Sequence, residues 1–194
     1  MSEEEFEAWA MEDTRAEWVD GEVILMSPSS LLHTRLQVWL VHLLGEFLDR
    51  RPLGELLGPE FTVRFASQRR RRVPDILFLS TERASLLRPT YLEGAPDLAI
   101  EIVSPDSQSR DRREKYIEYE KAGVREYWIV DPLSQTLEAY VLGSDGKYSL
   151  IPEVEGKVSS SVLSEFTLKT DSLWQQPLPL VSRALDAMGI RYQP

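Results

Sequence analysis

Leu98-Ala99-Ile100-Glu101-Ile102-Val103 is an almost unbroken apolar run, the pattern of a strand covered on both faces, with one acid in its middle. Downstream, beyond Ser104-Pro105, a helix is predicted over about residues 109–122, stopped by Gly123. An apolar strand follows at residues 127–130. Upstream, Val73-Pro74-Asp75-Ile76-Leu77-Phe78-Leu79 reads as a second strand with an internal acid, and residues 61–65 as a third, with a turn at residues 67–72 between them. Leu32, Leu36, Trp39, Leu40, Leu43, Leu44 and Phe47 recur at helical spacing and predict an amphipathic helix over residues 31–48. Ahead of it, residues 17–26 predict two short strands around Asp20-Gly21. Ser2 with Glu5 forms a capping box opening a short helix over residues 3–11. Weaker strands are expected near residues 138–141, 148–151 and 166–168, and a last helix over residues 178–188. Strand, strand, helix, strand in mid-chain means an α/β protein, one mixed β-sheet flanked by helices, in a single domain spanning residues 1–194.

Composition narrows the chemistry. The chain has 194 residues, 42% of them hydrophobic, which suffices for a core. No apolar run approaches the roughly 20 residues that span a bilayer. The start, MSEEEFEAWA, is acidic where an export signal is basic and then apolar, so no membrane partner and a cytoplasmic location are expected. Absence of cysteine excludes disulfides, thiolate metal sites and a cysteine nucleophile. With only His33 and His42, a histidine-rich metal centre is not expected. No Gly-x-Ser-x-Gly surrounds Ser27, Ser29 or Ser30, so a serine hydrolase is unsupported. Asparagine is absent and arginine outnumbers lysine 17 to 5, a bias expected of a thermophile and produced in part by a GC-rich genome.

The net charge of −10 argues against general nucleic-acid binding. Its distribution softens that objection. Residues 1–30 carry nine acids against Arg15, whereas residues 50–72 carry seven arginines against Glu55 and Glu60. Arg69-Arg70-Arg71-Arg72 is expected to be exposed, either gripping phosphates or forming a solvated turn. His33 is expected to pack or cap, and Tyr127 and Trp128 to lie in the core.

Asp75 and Glu101 are the informative pair. An ionised carboxylate within an apolar strand is costly unless a cation or hydrogen bonds offset its desolvation. On neighbouring strands the two acids could converge on one hard cation, and Mg²⁺ characteristically takes one or two carboxylates plus water and phosphate oxygens. The alternative is that each acid pairs with an arginine at a strand end.

The segments Glu17-Trp18-Val19-Asp20-Gly21-Glu22, Met26-Ser27-Pro28, His33, Val73-Pro74-Asp75-Ile76, Pro96 through Pro105 and Arg125 through Pro132 resemble the Uma-type family of restriction-endonuclease-like proteins. The resemblance runs from Glu17 to about Leu168. It implies the PD-(D/E)XK nuclease fold, a Mg²⁺ (or Mn²⁺) cofactor, DNA as substrate and a homodimer. By that resemblance Asp75 and Glu101, with the Ile102 carbonyl, hold the metal, and Glu17 is an additional acid. The general motif places a lysine two residues after the second acid, where this chain has Val103. In this family the lysine comes from the following helix. Lys115 and Lys121 are the candidates, and Lys121, in the last turn, has a helix-dipole explanation of its own.

The resulting expectation is a metal-dependent DNA endonuclease with Asp75, Glu101, Lys115 and Glu17 as catalytic residues. Two other readings remain. One is a catalytically silent nucleic-acid- or protein-binding module of the same fold, favoured by the missing motif lysine and the net charge. The other is a metal-free hydrolase using the carboxylate pair, as glycosidases do.

Overall fold

The N-terminal helix is held by its predicted box: the Ser2 hydroxyl accepts from the Glu5 amide, and the Glu5 carboxylate accepts from the Ser2 amide. In the computed structural model, which describes residues 1–10, 14–104 and 110–191, this helix (α1) covers Glu3–Trp9. A hairpin follows, β1 (Ala16–Val19) and β2 (Glu22–Leu25). Its turn residues Asp20 and Gly21 both have positive φ, as a tight two-residue hairpin turn demands. The amphipathic helix α2 spans Leu31–Arg50, capped by the Ser30 hydroxyl on the His33 amide. Then come β3 (Gly54–Leu57), β4 (Thr62–Phe65), β5 (Arg70–Arg72), β6 (Ile76–Ser80), β7 (Tyr91–Glu93) and β8 (Leu98–Ile102). A π-helical segment, Arg110–Lys115, leads into α3 (Tyr116–Ala122), which stops at Gly123 in the left-handed conformation. The predicted start of this helix, at residue 109, lies outside the described residues. The remainder is β9 (Glu126–Asp131), β10 (Thr136–Leu142), β11 (Tyr148–Leu150), β12 (Lys157–Ser159), β13 (Thr167–Lys169) and α4 (Val181–Ala187). None of the described helices is long and apolar enough to cross a membrane.

The strands do not form one mixed sheet, as the sequence had suggested. Among the described residues they form a five-stranded sheet, β2-β1-β5-β4-β7, a six-stranded sheet, β11-β10-β9-β8-β6-β3, and the ribbon β12–β13. Both large sheets are mixed, since β8–β9 and β4–β7 are parallel and the other pairings antiparallel. The α/β class with flanking helices stands. The sequence did not disclose the division because β3, β5 and β7 are only three or four residues long and so carry little periodic signal.

Alternation along the central strands sorts the core into two layers. Ile76, Phe78, Leu98, Ile100, Ile102, Trp128 and Val130 pack with Leu36, Leu40, Leu43, Leu44 and Phe47 of α2. Leu77, Leu79, Ala99, Val103, Tyr127 and Ile129 pack on the other side with Tyr119 of α3 and Val63, Phe65 and Leu92 of the first sheet. Glu101 shares the parity of Ala99 and Val103, so it is committed to the layer between the second sheet, α3 and the first sheet. That placement, rather than the strand itself, makes its charge costly.

Candidate active site

The run Arg69–Arg72 corrects a sequence expectation. Residues 70–72 form a strand, and Arg71 and Arg72 are buried. Strand alternation sends Arg71 to one face, where it meets Glu3 and Glu7 of α1 and lies over the Tyr91 ring. Arg72 goes to the other face, where none of its surface reaches solvent. The guanidiniums can be buried because each finds carboxylates, which composition alone does not disclose. Arg70 pairs with Asp20 and Glu118. Of the four, Arg69 is the exposed one.

Arg72 organises a buried ionic cluster. It donates to Glu17 at 2.7 Å and grips Glu118 with two bonds, of 2.7 and 2.8 Å. Glu17 reaches this point because the β1–β5 register pairs Trp18 with Arg71, which brings the preceding and following residues, Glu17 and Arg72, together. The other oxygen of Glu17 accepts from the Val73 amide. Lys115 then bridges inward, its amine 2.9 Å from Glu101 Oε2 and 3.4 Å from Glu17 Oε1. Glu101 Oε1 accepts from the Tyr119 hydroxyl at 2.7 Å. Glu17, Glu101, Lys115, Arg72 and Tyr119 are all buried. Arg112, bonded to Asp131 and Glu138, ties the segment carrying Lys115 to the second sheet.

The electrostatics follow from this crowding. Burial works to raise the Glu17 pKa, but Lys115 and Arg72 outweigh it and hold the carboxyl below its ordinary range. Burial likewise opposes the charge on Arg72, yet Glu118 and Glu17 more than offset it and the guanidinium pKa rises. Tyr119 is pushed well above the usual phenol value, first by burial and then by the negative Glu101 and Glu17. It is therefore a neutral donor at physiological pH.

Asp75 stands immediately before β6. Continuing the Ile76–Ile100 pairing by one step puts it directly opposite Glu101 on the neighbouring strand. Its carboxylate is bound separately. Oδ2 accepts from the Ile102 amide at 2.7 Å, Oδ1 accepts from Gln37 Nε2 at 3.1 Å, and His33 Nε2 lies 3.1 Å and 3.2 Å from Oδ1 and Oδ2. His33, expected only to pack or cap, thus has a specific polar partner. Asp75 also lines a small cavity of about 60 Å³ with Gln37, Ser27, Ser29, Arg15 and Glu60, room for about two water molecules. Among the described residues no three His, Asp or Glu side chains are grouped to hold a metal. Two carboxylates with hard oxygen donors nonetheless suit Mg²⁺ or Mn²⁺, which complete their shells with water and phosphate oxygens.

The sequence-derived candidates therefore lie in one region in two linked parts, Glu17–Glu101–Lys115 and Asp75–Ile102. Lys121 is exposed. Arg72, Glu118, Tyr119, His33 and Gln37 were not singled out as site residues. Lys115, Glu118 and Tyr119 are spaced i, i+3, i+4, and His33 and Gln37 i, i+4, so helix geometry could have grouped them. Arg72 could not have been found while its strand was read as a turn.

A mixed-sheet α/β fold flanked by helices, with acids at its central strands, is the arrangement of restriction-endonuclease-like proteins. Residues 3–171 match the model of the Uma2 family, described as "Putative restriction endonuclease", and the chain belongs to that family. None of the curated proteins matches it significantly. Among solved structures it is similar to a crystal structure titled "putative nuclease belonging to DUF820" from Anabaena variabilis. That similarity has 22% identity and a TM-score of 0.74, and covers 90% of this chain and 97% of the other.

Proposed function

We propose that this protein is a divalent-metal-dependent nuclease that hydrolyses phosphodiester bonds of DNA. The observation that carries the reading is the Lys115 amine, buried from a helix position and 2.9 Å from Glu101. Val103, at the usual motif position, is core and cannot donate a proton. A lysine that burial would ordinarily penalise is held instead between two strand acids.

Asp75 and Glu101, with the Ile102 carbonyl, would hold the cation, Mg²⁺ or Mn²⁺. The metal would supply Lewis-acid polarisation of the scissile phosphate and a bound water of lowered pKa. The Ile102 amide and Gln37 hold Asp75 in place, and Tyr119 holds one Glu101 oxygen. The Lys115 ammonium, held against Glu101 and Glu17, would orient the attacking water and counter charge gathering on the phosphate. Glu17 steadies that amine, and Arg72 steadies Glu17.

Nicking of supercoiled plasmid with Mg²⁺ or Mn²⁺ tests this. Wild type should cut, EDTA should stop it, and Asp75→Asn and Lys115→Ala should each be inactive while Lys115→Ala still binds Mn²⁺. A silent binding module is the second reading, favoured by the lack of any three-residue metal group among the described residues. DNA binding by wild type with no nicking under any divalent metal would establish it in place of the nuclease.

A further inference from the structure

The ribbon β12–β13 sets two of the chain's five lysines face to face. Its register pairs Val158 with Leu168, both in the core, so alternation commits the neighbouring partners Lys157 and Lys169 to the outer face together. The Lys157 amide and carbonyl both bond to Val154, and the Thr170 amide donates to the Gly156 carbonyl. Lys157 and Lys169 are therefore a non-hydrogen-bonded pair, the closer kind, with Cα atoms typically about 4.5 Å apart. Like charges directly opposite one another repel and cost stability. Among the described residues neither amine has a carboxylate or hydrogen-bond partner, in a chain whose net charge is −10.

Both lysines line a cavity of about 340 Å³ between the ribbon and α4, and no residue of the Asp75–Glu101 region borders it. That volume is at the lower end of the roughly 300–1,000 Å³ of small-molecule sites. Arg183 of α4 adds a third cation, also without an ion pair among the described residues. Ser172, a buried residue, lines the same space with a hydroxyl that has no partner there. Two ammoniums, a guanidinium and a hydroxyl suit a dianion with several oxygens. Phosphate is such a group: arginine takes two of its oxygens at once, lysine serves as a point charge, and serine donates to a third. The remaining lining is apolar, through Leu168, Ala184 and Met188. That share has no counterpart on a duplex backbone, whose outer surface is phosphate and sugar, but it suits the apolar part of a phosphate ester.

We propose that this cavity binds a small organic phosphate, a monoester whose dianion is held by Lys157, Lys169 and Arg183 and whose apolar part rests on Leu168, Ala184 and Met188. The ligand relieves the repulsion of the opposed lysines, which the fold otherwise carries as a cost. The proposal stands apart from the reading of the Asp75–Glu101 region and holds whether or not that region cuts DNA.

The test is calorimetric titration of the full chain at low ionic strength with phenyl phosphate and with inorganic phosphate. Phenyl phosphate should bind saturably with a Kd below about 1 mM, and several-fold more tightly than inorganic phosphate because it alone buries apolar surface. Lys169→Gln and Arg183→Gln should each weaken it by about tenfold, the scale of one lost hydrogen bond to a charged group. Lys121→Gln, which removes the same charge from an exposed position on α3, should match wild type. Lys169→Glu turns the repelling pair into an attracting one, so it should abolish binding while raising the urea midpoint. No saturable binding up to about 10 mM, equal affinity for the two phosphates, or binding unchanged in Lys169→Gln and Arg183→Gln would each overturn the proposal. A lowered midpoint in Lys169→Glu would remove the repulsion on which it stands. Weaker binding of a DNA duplex by these variants, with no phenyl phosphate bound by wild type, would make the patch a backbone contact and the proposal would fall.

Discussion

Arg72 illustrates how much a single side chain can organise. Its guanidinium has no solvent contact and is shared between Glu17 and Glu118. Removing one partner of a buried ion pair leaves uncompensated charge, which typically costs about 3–5 kcal/mol. Arg72→Met should therefore destabilise the protein by about that much in urea unfolding, even though methionine fills a comparable volume. A loss under about 1 kcal/mol would mean that the cluster is wet enough to be screened like a surface pair. Asp75 and Glu101 were legible as residues, because a lone carboxylate in an apolar strand stands out, and Glu17 only through the family resemblance. Their partners were not. Glu17 and Arg72 are 55 positions apart and meet only because of the β1–β5 register.

At the level of elements, α2 and β8 follow directly from their patterns: helical periodicity in the one, an apolar run in the other. Burial of their apolar faces is the dominant stabilising term, and both faces recur in the observed core. The short strands behave differently. β3 pairs with β6 along Gly54 to Leu57, and Gly54 packs so closely on its partner that a Cβ would run into the Leu79 carbonyl oxygen. Gly54→Ala must push the strands apart, and overpacking of that kind costs about 1–3 kcal/mol. A lowered thermal midpoint with unchanged metal binding would place the damage in the sheet edge and away from the site; an unchanged midpoint would show that β3 yields freely. Nothing in the residues around Gly54 signals that contact, since the carbonyl it meets lies 25 positions away. The arginine strand β5 was hidden for a related reason. Four guanidiniums read as a solvated turn until Glu3, Glu7, Glu17 and Glu118 arrive from elsewhere in the chain.

For the whole molecule, the ionic clusters set a pH dependence. Glu17, Asp97 and Asp131 are each pushed up by burial yet end below their ordinary values. Lys115 and Arg72 achieve this for Glu17, the Ser80 amide and Arg83 for Asp97, and the Ser134 and Leu133 amides with Arg112 for Asp131. Carboxyls depressed in the folded state contribute stability that is fully present above their unfolded values of about 4, and it is lost as pH falls through the folded ones. The urea midpoint should thus hold level from about pH 7 to pH 5 and fall steeply below about pH 4. A midpoint unchanged at pH 3 would show that these pairs contribute nothing net. The sequence by itself determined the α/β class, the long helix, the central strands and the two acids they carry, because periodicity and an isolated charge are local properties that need no partner to be seen; the helix lysine came only from the family resemblance. Only the tertiary structure decided that the strands divide between two sheets, that Arg72 is core, that Lys115 rather than Lys121 meets Glu101, and that His33 faces Asp75. Each of these depends on which distant segments are brought together, and the electrostatic cost of a buried charge is settled by the partner it finds there.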